Sequence, residues 1–326
     1  MSMRVHRSWL LRAVATLISG VSVASAQLPD SGLGALQAHA PSSSLPPGAV
    51  SQPESVRSVN YGRLAIMGGI TVGFFAGSYM YVKQYWWADQ QTSFHYDTSP
   101  EQYAKNMDKV AHFFWGFMGA DLAGMGFRWA GTGDDASYVY GALMNMVISL
   151  SIEMTDGYAP AHGFSTMDFA AGAVGGFYPL VQRHVGFLKP LNFKMSYWNH
   201  APDYYDRQSQ LNELNPVRFF ADNYGNQTYW ATLNLQQLSP RSWKSSVPSW
   251  LSFAVGVRAG DVAPVIETDK QFTNVHVYLS VDLDVAQLLP EEGALWTTLR
   301  TLFKYYHLPA PAIRISPNVA VFGLYM

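Results

Sequence analysis

Six ionisable residues stand out because the chain around them is almost wholly apolar. Asp108 and His112 are four apart and share one face of a helix, with Lys109 three before His112. Glu153, Asp156 and Asp168 follow in later apolar stretches. Three chemistries fit this set. In a structural role, Lys109 neutralises one carboxylate, His112 hydrogen-bonds another and Asp168 caps its helix with Ser165, fixing helix register. In a metal site, His112 with Asp108, Glu153 and Asp168 offers one nitrogen and several oxygens to a divalent ion, without a motif as sharp as H-E-x-x-H. In a catalytic site, His112 is a general base or nucleophile oriented by a carboxylate. Lys109 then balances charge or holds an anionic group, and the expected substrate is a lipid or glycan headgroup. The leading expectation is a membrane-associated structural or interaction component, with a membrane-embedded enzyme as the alternative and the metal undecided. No cofactor is expected, since neither a Gly-rich phosphate loop nor a G-x-S-x-G elbow is present.

The elements that must position these residues are legible as apolar runs between breakers. Leu64–Val82 is uncharged and flanked by Arg63 and Lys83. As a helix it is roughly 28 Å long, close to a hydrocarbon core. Tyr85, Trp86 and Trp87 follow where an aromatic belt would lie, and Gly69, Gly73 and Gly77 make a ridge that admits a second helix. A second helix is predicted from a capping box at Ser99, Pro100 and Gln102 to about Trp129. The third covers roughly Ala136 to Met154, broken by Gly157 and Pro160. The fourth starts at Ser165-Thr166-Met167-Asp168 and runs to about Val185, with Gly172 and Gly176 as a small-residue face. Antiparallel packing of these helices brings Asp108, Lys109, His112, Glu153, Asp156 and Asp168 to one end of a bundle.

After Pro190 the pattern changes to period-two alternation. Strands are predicted at about Thr228–Leu238, Leu251–Arg258, Val275–Val285 and Val319–Tyr325. A short amphipathic helix is predicted at Leu295–Tyr306, with Pro309 and Pro311 as breakers. Four to six strands make an antiparallel sheet with one polar face, on which Asp282 and Asp284 are expected to be solvated. That is fewer than the about eight strands of a closed single-chain membrane barrel. The fold class is therefore α+β: an apolar four-helix bundle over residues 59–190, followed by an antiparallel β-sheet domain over 191–326.

Two further segments precede these. Arg4, Arg7 and Arg12, the apolar run Ala13–Val23 and the small-x-small site Ala24-Ser25-Ala26 read as a cleavable signal peptide over residues 1–26. Residues 27–58, rich in Pro, Ser, Ala and Gly, read as a disordered linker. The chain has no cysteine, which excludes disulfides, a thiolate nucleophile and lipobox acylation. Losing three arginines with the leader takes the formal charge from −2 to −5, which argues against a nucleic-acid partner. Charged residues are 13% against the ~25% usual in soluble domains, while aromatics reach 14%. That balance suits contact with membrane lipid. The expected address is the periplasm or outer membrane, or the inner membrane facing the periplasm, with lipid and other envelope proteins as partners.

The motif order Asp108-Lys109-x-x-His112-Phe113, Glu153-x-x-Asp156 and Ser165-x-x-Asp168, with Gly172 and Gly175, resembles the YfiM-like domain of unknown function, a group of predicted periplasmic lipoproteins. More distantly it is similar to VanZ-like membrane proteins, which carry a D-K-x-x-H element and a later Glu and Asp. Longer two-part members of the YfiM-like group are echoed in Gly225-Asn226-Gln227-Thr228-Tyr229-Trp230, in Tyr278–Asp284 and in Leu308-Pro309-Ala310-Pro311-Ala312. The resemblance implies a cell-envelope protein of no settled activity. Without cysteine this chain departs from the lipoprotein pattern, so its own helices, its sheet or a partner must hold it.

Overall fold

The computed structural model describes residues 58–85, 87, 91–97, 103–160, 162–200, 224–262 and 272–326. The leader, the linker up to residue 57 and the Ser99–Gln102 capping box lie outside them. The chain divides into two compact units. One comprises residues 57–284 and 305–326. The other comprises 1–56 and 285–304; its described part is a 3-10 turn at Val285–Gln287 and most of one helix, where Arg300 donates to the Leu289 carbonyl at 2.9 Å.

The described residues are mixed helix and sheet. The helices are α1 (Tyr61–Tyr85), α2 (Met107–Trp129), α3 (Asp134–Asp156), α4 (Thr166–His184), the single turn α5 (Leu235–Leu238) and α6 (Ala294–Tyr305). Among the described residues six helices stand where five were expected, four in the bundle and one short amphipathic helix; the single turn α5 is the addition. Within the first unit α2, α3 and α4 pack closely on one another, while α1 touches α2 at few points, Met67 lying against Gly126. Most of α1 is bare: Val72 is 68% exposed, and nothing within the described residues comes within 4 Å of where a side chain at Gly69, Gly73 or Gly77 would begin. The glycine ridge expected to admit a second helix admits none from this chain's described residues.

Helix α2 starts later than its sequence pattern predicts. Ala104, Lys105 and Asn106 adopt left-handed conformations (φ 45°, 57° and 64°), and the helix begins at Met107. Asn tolerates that region, whereas Ala and Lys are strained there. Burial offsets the strain: Ala104 is 1% exposed and enters the main core beside Met107. The late start also puts Asp108 in the first turn, where free backbone N–H groups favour a carboxylate.

Helix gives way to strand between Leu188 and Leu191. The strands β1 (Leu191–Tyr197), β2 (Gln227–Asn234), β3 (Leu251–Val262), β4 (Phe272–Leu283), β5 (Ala310–Ser316) and β6 (Ala320–Tyr325) form one antiparallel sheet in sequential order. Strand β5 runs through Pro311, a breaker in the sequence pattern. It is accommodated where the β5–β6 register shifts between Ala310 and Ala312, a position at which a missing donor is tolerated. One stripe of α2 (Met107, Ala111, Phe114, Phe117) buries against Met195, Tyr229 and Ala259 of the first three strands and Phe272 of β4. Phe117 meets Phe193 edge-on at 5.7 Å, and Tyr178 of α4 meets Phe193 at 5.0 Å.

The other face of the sheet is the polar one, and it is buried, which corrects the expectation of a solvated face. Lys194 of β1 pairs with Asp282 of β4 at 2.8 Å, both 1% exposed. In a flat sheet those strands would lie about 14 Å apart, beyond the reach of one lysine. The Thr228 and Tyr325 hydroxyls, on β2 and β6, are likewise 3.3 Å apart. The sheet therefore curls, with polar residues inside. Its edge at Met195 takes a parallel bridge from Tyr306, just before β5. Outside, Phe253, Val281, Ile313 and Val321 are apolar and exposed.

Candidate functional site

Three helices deliver the cluster to one place. Asp108 and Lys109 occupy the first turn of α2 and His112 the next, Glu153 sits in the last turn of α3, and Asp168 in the first turn of α4. Helices α2 and α4 approach backbone to backbone: a Cβ at Gly116 would collide with the Gly172 carbonyl, and one at Gly175 with the Phe113 carbonyl. Asn145 of α3 donates to that Gly172 carbonyl at 3.1 Å, locking the third helix in. The α4 start behaves as its capping pattern predicts, Ser165 Oγ accepting from the Asp168 N–H at 3.2 Å.

Lys109 Nζ lies 2.8 Å from Asp108 Oδ2 and 3.2 Å from Asp168 Oδ1, bridging α2 and α4. Glu153 Oε2 accepts from the Ser165 N–H at 3.0 Å. Its other oxygen, Oε1, is 3.7 Å from His112 Nδ1 and has no hydrogen bond among the described residues. The cluster has a wet edge and a dry floor: the side chains of Lys109 and His112 are 20% and 24% exposed, that of Glu153 2%. One ligand atom from each of His112, Glu153 and Asp168 lies within 4.8 Å of the others.

Burial dominates the electrostatics. It pushes Glu153 up to about 8, against the Ser165 hydrogen bond and with the nearby charge of Asp168 adding to the rise. Asp108 is also raised, by burial and then by Asp168. Burial lowers His112, opposed by Asp168 and Asp108. Lys109 is raised overall: its own desolvation is outweighed by the hydrogen bond and charge of Asp108 and by Asp168.

Five of the six predicted residues thus meet. Asp156, the sixth, closes α3 one turn beyond Glu153, its carbonyl accepting from the Ala159 N–H at 2.9 Å, and the charges acting most on Glu153 are those of the other members. Away from the cluster, Asp121 of α2 is buried and accepts from the Tyr305 hydroxyl at 2.5 Å, and Arg128 stacks over Tyr138 at 4.6 Å.

A second polar assembly, inside the curled sheet, escaped the sequence reading. Lys194 lies 2.8 Å from Asp282 and 3.6 Å from Asp284. Arg258 reaches His276 Nδ1 at 2.9 Å and the Tyr278 and Tyr325 hydroxyls at 3.2 Å each. His307 stacks on Trp230 at 4.0 Å. The signal was the strict alternation of His276, Tyr278, Ser280 and Asp282, read as a wet face. Compared with known proteins, the chain matches no family model, no curated protein and no solved structure.

Proposed function

We propose that this chain is an exported cell-envelope protein, held at a membrane by α1, that acts on the polar headgroup of an envelope lipid or glycan through Asp108, Lys109, His112, Glu153 and Asp168. The observation that carries this reading is the level of the cluster relative to α1. Trp87, two residues past the end of α1, donates its indole N–H to the Thr155 carbonyl at 3.2 Å, two residues from Glu153. At the other end of α1, the Asn60 N–H bonds the Ala130 carbonyl just past α2, so α1 runs antiparallel to α2 and its far end is the cluster end. An inserted α1, about 37 Å long, places Trp87 in the interfacial belt and the cluster at headgroup depth. Among the described residues α1 is the one helix long and apolar enough to cross a membrane. The exposed apolar residues outside the curled sheet add to it, since polar-in and apolar-out is how sheets meet lipid. In this reading α1 to α4 are the membrane-associated bundle of the predicted fold. The YfiM-like motif order, with its envelope address, agrees with it.

A buried group of this kind costs stability unless every member is paired, and among the described residues Glu153 Oε1 has no hydrogen bond. The wet edge at Lys109 and His112 gives an anionic headgroup a cation to meet and a route in. A second reading, that the cluster is a purely structural tie within an interaction component, is favoured by Lys109 spanning Asp108 and Asp168. Complementation separates them. His112→Ala and Asp108→Ala should reach the membrane at normal abundance and fail to restore a deletion strain. If both are degraded and the surviving protein works normally, the headgroup reading is wrong and the tie is structural.

A further inference from the structure

The cluster holds more ligand capacity than its internal contacts consume. Lys109 serves Asp108 and Asp168, and Ser165 serves one oxygen of Glu153. That leaves Glu153 Oε1, on a side chain 98% buried, aimed toward His112 Nδ1 at a distance too long for a hydrogen bond. Once an arriving cation displaces any proton on Glu153, the three carboxylates set against the single charge of Lys109 offer that cation two negative charges. The chemistry that satisfies all of these at once is a small dication.

We infer that His112, Glu153 and Asp168 bind one divalent transition-metal ion, one ligand from each of three helices. The three ligand atoms lie within 4.8 Å of one another. Bound to an ion at about 2.1 Å they would be about 3.0–3.5 Å apart, so side-chain adjustment of roughly an ångström closes the site. An imidazole nitrogen with two carboxylate oxygens suits Zn²⁺ or Mn²⁺ better than Mg²⁺ or Ca²⁺, which prefer all-oxygen shells. Three protein ligands leave positions open toward the wet edge, where a headgroup oxygen would be polarised beside Lys109. That use of the ion rests on the headgroup reading; the site itself does not. Asp108, the carboxylate nearer to Lys109, stays outside the ligand set.

The test uses full-length processed protein in detergent micelles, stripped with chelator and titrated with Co²⁺ and then Zn²⁺. One Co²⁺ per chain should bind with visible d–d absorption and be displaced by Zn²⁺. Glu153→Gln retains an acceptor for the Ser165 N–H and should weaken binding roughly 100-fold or more, as should Asp168→Asn. Asp135→Asn, at the far end of α3, should leave it unchanged. Absence of saturable Co²⁺ and Zn²⁺ binding by the wild-type protein, or binding unaltered in folded Glu153→Gln and Asp168→Asn, overturns the ion site. A metal-free protein whose His112→Ala variant still fails complementation removes the ion and keeps the headgroup reading. A stoichiometric ion alongside normal complementation by that variant does the reverse.

Discussion

Lys109 holds two carboxylates from different helices at 2.8 and 3.2 Å, so removing it leaves like charges facing each other in a half-dry site. Lys109→Met should destabilise the protein by about 2–4 kcal/mol, read by chemical unfolding in micelles. Glu153→Gln is expected to act in the opposite direction. It removes the charge that burial penalises, retains the Ser165 hydrogen bond, and should be neutral or mildly stabilising. These identities were legible in the sequence because ionisable residues are rare in apolar helices, and the spacing from Asp108 to His112 assigned them to one face. What the sequence did not carry was the division of labour. Which oxygen of Glu153 is used, and which aspartates Lys109 reaches, depend on how closely the helices approach.

That approach is set at the scale of the elements. Gly175→Ala would drive a methyl into the Phe113 carbonyl and should cost about 1–3 kcal/mol, whereas Gly73→Ala, on the bare face of α1, should be neutral or gain up to about 1 kcal/mol of helix propensity. Comparing their melting temperatures checks both. Inside the curled sheet, Lys194→Met alone strands Asp282 and should cost about 3–5 kcal/mol; Lys194→Met with Asp282→Leu should recover most of it. A double-mutant cycle measures the difference. The helix spans were readable from apolar runs and breakers, and the α4 start from its capping pattern. The α2 start was not, because its left-handed turn is dictated by the burial of Ala104, a tertiary effect. Nor was the inversion of the sheet: alternation defines two faces but not which one is covered. Pro311 misled for a similar reason, since a bulge in the partner register excuses it.

For the whole molecule, the polar interior and the apolar exterior make separate demands. His307 is fully buried, and burial, with the nearby charge of Lys194, lowers it to about 4. Its folded pKa lies below the unfolded value of about 6.5, so the unfolded chain protonates first. The His307 contribution is fully present above pH ~6.5 and falls as the pH drops toward 4, by about 2–3 kcal/mol between pH 7 and 4.5, while the raised Glu153 contributes with the opposite sign. Unfolding wild type and His307→Gln at both pH values isolates it: the gap in stability between them should shrink by about that amount at pH 4.5. On the outside, α1 and the bare sheet face should keep the protein in the membrane pellet through an alkaline carbonate wash. Both demands arise from a chain that places its few charges where they are hardest to solvate, and Glu153 is the sharpest instance. The direct test of a functional cluster is therefore Glu153→Gln, followed for unfolding stability and for complementation together. Stability equal to or above wild type with complementation lost is the predicted result. Complementation retained at wild-type level would contradict the account.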